Sequence, residues 1–327
     1  MIRRAIPALV LACAACQIDA SQQGLQVTPA SAFTDARADS VSPRQDGGYL
    51  VWSADSAGAE TVWIDGAGQV AARRPQVVIA AGGGLWAWTP GKGKTTGIDC
   101  QCINRRDDDP NAACTATGEA EIAGVTDLAG GRGISLVPVP QPGEPGGEQA
   151  PTEQAVVPLS SAGPYLFTEV RNYVNACGAH GFEGADVRVF DLAAGGRAVD
   201  IVEAGDTAAV MAREGARARA ALEAAEAATM PVDSFFLSSV EPRWTAGGKL
   251  DVEYRFSAPA CYACGDGRNA YMTSALVPAS SPPARLAALL EAPEMVRRWW
   301  QAHPPRAQAG WSAAPAAALA AFQTPAR

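Results

Sequence analysis

Cys177 and His180 stand three residues apart, and Cys261 and Cys264 repeat that spacing further along the chain. Three thiolates and an imidazole make a tetrahedral zinc ligand set, and the Cys-x-x-His and Cys-x-x-Cys spacings suit one. The same cysteines also belong to a disulfide inventory. Cys100, Cys102, Cys114, Cys177, Cys261 and Cys264 are six beyond an N-terminal pair, an even number that in an oxidising compartment reads first as disulfides. The choice between metal and disulfide therefore rests on where the chain works.

The N-terminus addresses that question. Arg3 and Arg4 precede a short apolar run from Ala5 to Ala15, and small residues lead into Cys13 and Cys16. The run is far below the roughly 20 residues that a bilayer requires, so it reads as a secretory signal and not as a spanning helix. A cysteine behind small residues resembles a bacterial lipobox. Val10-Leu11-Ala12-Cys13 has the better residues, whereas Cys13-Ala14-Ala15-Cys16 leaves a signal of more usual length, and the lipid anchor is assigned to Cys16 with Cys13 as the alternative. The expected location is the bacterial cell envelope, as an exported, membrane-anchored lipoprotein.

Export argues against zinc, because exposed thiols oxidise there unless metal is loaded first. Disulfides are the expectation, no metal and no cofactor is assigned, and Cys177, His180, Cys261 and Cys264 are the alternative zinc set.

Other chemistry is weaker. Only two histidines exist, His180 and His303. A nucleophile-base pair needs a positioned imidazole, and no serine lies in a G-x-S-x-G elbow, although His180 has Glu183 and Asp186 nearby. A carboxylate-based hydrolase stays open, since acidic pairs are common. Thr89 to Gly97, "TPGKGKTTG", imitates a phosphate loop, but Trp88 occupies the first glycine position, and a basic β-turn is the expected structure. Cleavage before Cys16 removes two of 26 basic residues against 34 acidic ones and moves the formal charge from −8 to −10. An acidic, exported chain without a basic patch is a poor nucleic-acid ligand.

The elements that must position these residues are mostly strands. Residues 17–45 are polar and aperiodic, the pattern of a flexible tether. From Asp46, "GGYLVW", "ETVWID", "PQVVIAA" and "GGLWAW" are short β-branched and aromatic runs separated by turn residues. They predict a small antiparallel β domain over 46–138, with Trp52, Trp63, Trp86 and Trp88 as its core and a hairpin turn at Asp65-Gly66. The Pro-, Gly- and Glu-rich stretch of 139–160 reads as an interdomain linker. Strands at "YLFTEVRNYV" and "ADVRVFDL" follow, then a helix over "TAAVMAREGARARAALEAAEAA" with Asp206 as N-cap, then a hairpin turning at Gly247-Gly248. Strands, helix, strands is an α+β order. The tail, 281–327, predicts a short helix with an apolar stripe of Leu286, Leu289, Leu290, Val296, Trp299 and Trp300, broken at Pro293. Residues 304–327 show no core face and read as disordered.

Residues Gly163 to Ile201 carry a family resemblance. Gly178-Ala179-His180 followed by Phe190-Asp191-Leu192 and Gly195 resembles the domain of RsiV-type anti-sigma factors and the non-catalytic domain of PdaC-type peptidoglycan deacetylases. Phe256, Ala260, Tyr262, Ala263 and Gly265 match that family's closing hairpin and loop. The similarity covers about residues 160–280. It implies an α+β domain over 161–280, and a motif of Gly178, Ala179, His180 and Asp191 that forms a turn and carries no catalysis. Cys177, Cys261 and Cys264 are additions in two loops that the family's fold brings together, so the resemblance implies a disulfide between those loops. The expected function is non-enzymatic binding of cell-wall glycan or of an extracytoplasmic protein, with the membrane engaged through the N-terminal lipid. The alternative is an envelope glycan hydrolase or a zinc hydrolase centred on His180.

Overall fold

The computed structural model describes residues 47–98, 115–139, 153–174, 182–225, 232, 234–259 and 272–324, all within the compact unit Val41–Arg327. It is α+β and dominated by strands, as the sequence predicts.

The first strands arise where the sequence is a continuous apolar run. β1 (Gly48–Asp55) is buried on both faces: Tyr49 and Val51 enter one core, while Leu50 and Trp52 enter two others on the opposite side. That two-sided burial is why the run does not alternate. β1 pairs antiparallel with β2 (Gly58–Ile64), which pairs with β3 (Val70–Arg74). The β2–β3 connection is longer than the expected hairpin. Asp65 Oδ1 accepts the backbone N–H groups of Ala67 and Gln69, both at 2.9 Å, and the left-handed residue is Gly68 at φ +80°, not Gly66.

β4 (Val78–Ala81), β5 (Gly84–Ile98), β6 (Thr115–Asp127) and β7 (Gly133–Val137) form an antiparallel meander. β5 runs straight through Thr89–Gly97, so the basic segment expected as a turn is a strand, paired residue for residue with β6 from Ile98↔Thr115 to Trp86↔Asp127. Its threonines have the branched side chains that a pleated surface favours, and that preference prevails over its glycines. The outer edge of β4 is not left bare. Thr61 Oγ1 accepts Val78 N–H at 2.9 Å and Ser312 Oγ accepts Ala80 N–H at 2.8 Å, so buried hydroxyls stand in for a missing strand.

β8 (Glu153–Ala162), β9 (Tyr165–Val174), β10 (Phe182–Asp191) and the two-residue β11 (Arg197–Ala198) form a second meander. The structure departs here from the two-domain division at 139–160. β8 pairs in parallel with β15 (Gln308–Ala314), and β15 pairs antiparallel with β1, giving the order β11-β10-β9-β8-β15-β1-β2-β3 in one twelve-stranded sheet. β8 also bridges β6 at Ala120↔Gln154, which ties the β4–β7 branch to the same sheet. Residues expected to belong to separate domains, and residues 308–314 expected to be disordered, are neighbours in its centre. Gly310, Ser312 and Ala313 carry little apolar surface, so β15 gives no periodic signal; its place is set by close packing and not by hydrophobicity.

Apart from the short C-terminal helix, the remaining elements pack into the core that Tyr49 and Val51 enter. The helix α1 (Ala204–Ala225) starts three residues before the expected segment, so Asp206 lies in its first turn and is not the N-cap. Val210, Glu214, Ala218 and Leu222 form its buried row at four-residue spacing. β12 (Phe236–Trp244), β13 (Leu250–Pro259) and β14 (Met272–Pro278) make a separate antiparallel sheet. Its hairpin turn is at the expected glycines, with Gly248 at φ +72°. The apolar stripe is split at Pro293, as predicted, into a 3₁₀ turn (Ala284–Leu289) and α2 (Glu294–Ala302). Leu286, Leu289, Val296 and Trp300 are buried in the main core. A short α3 (Leu319–Gln323) follows β15 and buries Phe322 against Trp63, ring centroids 5.8 Å apart. No helix among the described residues is long and apolar enough to cross a membrane.

Aromatic rings join the layers. Trp244 of β12 lies 5.3 Å from Trp300 and 6.2 Å from Trp311, and Trp311 lies 6.1 Å from Tyr49. Ser161 of β8 receives two indoles: Trp52 Nε1–H donates to its Oγ at 2.7 Å, and Trp244 Nε1–H donates to its carbonyl oxygen at 2.8 Å.

Candidate functional site

Most of the sequence-selected residues lie outside the described residues. This holds for Cys13 and Cys16, for the disulfide candidates Cys100, Cys102, Cys114, Cys177, Cys261 and Cys264, and for Gly178, Ala179 and His180. Among the described residues, no three His, Cys, Asp or Glu side chains are grouped so as to hold a metal. Asp191 is described, and it builds a turn: its Oδ1 accepts Ala193 N–H at 2.9 Å and Ala194 N–H at 3.1 Å, while its carbonyl accepts Gly196 N–H at 2.9 Å. Phe190 and Leu192 on either side are core residues, and Gly195 is left-handed at φ +76°. His303 stacks on Trp299 at 3.8 Å at the end of α2. Trp52, Trp63 and Trp88 are buried core side chains, and Trp86 is half-buried with its Nε1–H on Ala81 O.

A polar cleft is assembled where β8 leaves β15 and takes β6 as neighbour. About 540 Å³ is enclosed by Lys92 of β5, Glu119 to Glu121 of β6, Glu153 to Ala155 of β8, and Arg171 to Tyr173 of β9. The strands fix these groups in register, because Asn172 is paired with Gln154 on one side and Gly184 on the other. Two of the cleft's side chains hold its frame. Gln154 Nε2 donates to Glu121 O at 2.7 Å and to Pro138 O at 3.3 Å, and Glu121 Oε2 accepts Val156 N–H at 2.9 Å. At the rim, Lys92 and Glu119 form an exposed ion pair at 3.5 Å.

Two residues are not accounted for by that frame. Asn172 Oδ1 is buried and has no hydrogen-bond partner among the described residues. Leaving a buried acceptor unmade costs about 1–3 kcal/mol, which a ligand donor would recover. Tyr173, next along the strand and therefore on the other side of the pleat, is 39 % exposed, one of two large hydrophobic side chains so exposed among the described residues. The cleft thus offers an open acceptor, several charged and amide groups and one exposed ring.

Comparison with protein-family models, with curated proteins and with solved structures finds no match to this chain. The reading of the site therefore stands on its own geometry. Sequence reasoning placed Asn172 and Tyr173 inside a strand and gave them no role. The available signal was parity: Leu166, Thr168 and Val170 are buried on one row of β9, and Asn172 is the next position on that row.

Proposed function

We propose that this is a non-enzymatic binding protein of the bacterial cell envelope, held by an N-terminal lipid on Cys16, and that the cleft around Asn172 takes a cell-wall glycan. The buried, unpartnered Asn172 Oδ1 carries this reading. A sugar hydroxyl donates to such an oxygen, neighbouring hydroxyls meet Gln154, Glu119 and Lys92, and a further sugar of the glycan chain, beyond the strand end, packs its apolar face on Tyr173. The resemblance of residues 160–280 to RsiV- and PdaC-type envelope domains supports the same location and the same kind of partner.

Sedimentation with purified peptidoglycan tests the reading. The mature protein is expected to co-sediment, with Asn172→Leu and Tyr173→Ala each weakening binding roughly tenfold, the loss of about one buried hydrogen bond or ring contact. Unchanged binding by both variants, or no binding by the folded wild type, rejects it. A second reading, glycan hydrolysis by a carboxylate pair, is favoured by Glu119, Glu121 and Glu153 lining the same cleft. Release of reducing ends that stops on Glu121→Gln or Glu153→Gln would select it.

Export also fixes an expectation for the cysteines. Under denaturing, non-reducing conditions the mature exported protein is expected to show no free thiol among Cys100, Cys102, Cys114, Cys177, Cys261 and Cys264. Six reactive thiols accompanied by bound zinc would instead establish the Cys177, His180, Cys261, Cys264 metal set.

A further inference from the structure

Arg74 closes β3 and is only 7 % exposed. Its Nη1 donates to Phe322 O at 3.0 Å and Thr324 O at 2.6 Å, the carbonyls at the end of α3, and its Nε donates to Gln76 Oε1 at 3.3 Å. These bonds explain how the guanidinium fastens the C-terminal helix to the sheet edge. They leave Nη2 with no partner, and no carboxylate lies within ion-pair distance of Arg74 among the described residues. The neighbouring Arg73 has its carboxylate, Glu60, at 3.1 Å. A guanidinium is always charged and carries five donors, so among the described residues Arg74 is a buried cation met by neutral oxygens, with Nη2 left over.

Arg74 lines a cleft of about 830 Å³. Its lining combines apolar Val77, Trp88, Pro90 and Pro158 with the side-chain amides of Gln76 and Gln308. Of the charged groups lining it, Asp55 is paired with Arg306 at 3.5 Å and Arg73 with Glu60, which leaves Arg74 as the uncompensated charge.

We propose that this cleft binds the free C-terminal carboxylate of a peptide, with Arg74 Nη2 as the anion anchor. A carboxylate meets the open edge of the guanidinium, the peptide amides meet Gln76 and Gln308, and small apolar side chains lie against Trp88 and Pro158. Gln76 is already bonded to Arg74 Nε and to Trp88 O, but a fatty-acid tail would offer nothing to the Gln308 amide, so the mixed lining favours peptide over lipid. This cleft shares no lining residue with the Asn172 cleft, and the proposal stands or falls independently of glycan binding.

Calorimetric titration of the mature protein with acetyl-Ala-Ala-Ala, with its C-terminal amide and with decanoate tests it. The acid is expected to bind at least about tenfold more tightly than the amide, and decanoate no better than the amide. Gln308 is a half-buried residue on the cleft and makes none of the hydrogen bonds that hold α3, and circular dichroism of its variants checks that they are folded. Gln308→Glu is expected to lower the preference for acid over amide and Gln308→Lys to raise it. Arg74→Lys keeps the charge without the planar fork, and is expected to abolish the preference for acid over amide. Equal binding of acid and amide, no binding of either by the folded protein, preference for decanoate, or insensitivity to both Gln308 variants overturns the proposal.

Discussion

Gly310→Ala is expected to destabilise the protein by about 2–5 kcal/mol. Gly310 lies at the middle of β15, opposite Trp52 of β1 on one side and Ser161 of β8 on the other. The Trp52 indole lies across the glycine to reach Ser161 Oγ two strands away, at 2.7 Å. A Cβ at 310 would stand 2.6 Å from Trp52 Nε1 and 2.8 Å from Ser161 N, and closer still to Ser161 Oγ. Backbone cannot yield on both sides of a central strand, so the indole must leave. Overpacking costs about 1–3 kcal/mol, and stranding a buried N–H adds about 1–3 kcal/mol. Set against a total stability of about 5–15 kcal/mol, that is enough to unfold a marginal protein. Urea denaturation checks it, together with Trp52→Ala alone and in combination with Gly310→Ala. If the clash is with the indole, the double variant loses less than the two single losses combined. A Gly310→Ala loss below about 1 kcal/mol would mean that the strands are not so tightly apposed.

Glu214 is expected to make the fold acid-sensitive. Its side chain is fully buried in α1, where burial alone would push its carboxyl up. The hydroxyl of Ser280 at 2.6 Å, the guanidinium groups of Arg217 and Arg213, and Ser280 N–H at 3.1 Å outweigh burial and hold it at about 2, below the ordinary 4.5. The unfolded chain therefore takes up this proton first as the medium is acidified. The stabilisation is complete above about pH 4.5 and is lost as pH falls toward 2, a change of roughly 3 kcal/mol by linkage. Glu214→Gln is expected to lower stability at pH 7 by a similar amount and to flatten the curve between pH 4.5 and 2. Stability at 25 °C measured by urea melts across that range decides it, and an unchanged acid slope in the variant would assign the sensitivity elsewhere. Arg213 and Arg217 are half-exposed, so either can be lost at smaller cost than the carboxylate they share.

How far the fold could be read from the sequence follows from how each element is buried. β9 matches the run "YLFTEVRNYV" to the residue, and β1, β2, β4 and β5 contain the aromatic runs singled out for them, because large β-branched and aromatic side chains announce themselves. The break at Pro293 was equally legible, since a proline at that point of an apolar stripe removes a donor and ends the turn. What the sequence concealed was connection. β15 is built of Gln, Ala, Gly, Trp and Ser, and its membership of the sheet depends on a missing side chain at 310, not on hydrophobic pattern. The Pro/Gly-rich composition of 139–160 resembles a linker, yet Glu153–Ala162 is a strand within it, with Pro158 placed opposite Thr168 just before a register shift. Asn172 and Arg74 were hidden for a related reason. Asn172 Oδ1 meets no partner and Arg74 no carboxylate among the described residues, and such a shortfall can be recognised only when the neighbours are in place.

The seam strand also sets the order of assembly. β1 and β8 are separated in the chain by about a hundred residues, and neither can reach its final neighbour until residues 308–314 are available to lie between them. The N-terminal β1–β3 meander and the β8–β11 meander can each form early, but they remain two open-edged ribbons until the chain is nearly finished. Contacts of such long sequence separation make closure slow. The topology itself therefore delays closure: the sheet stays open along both ribbons until residues 308–314 are in place between them.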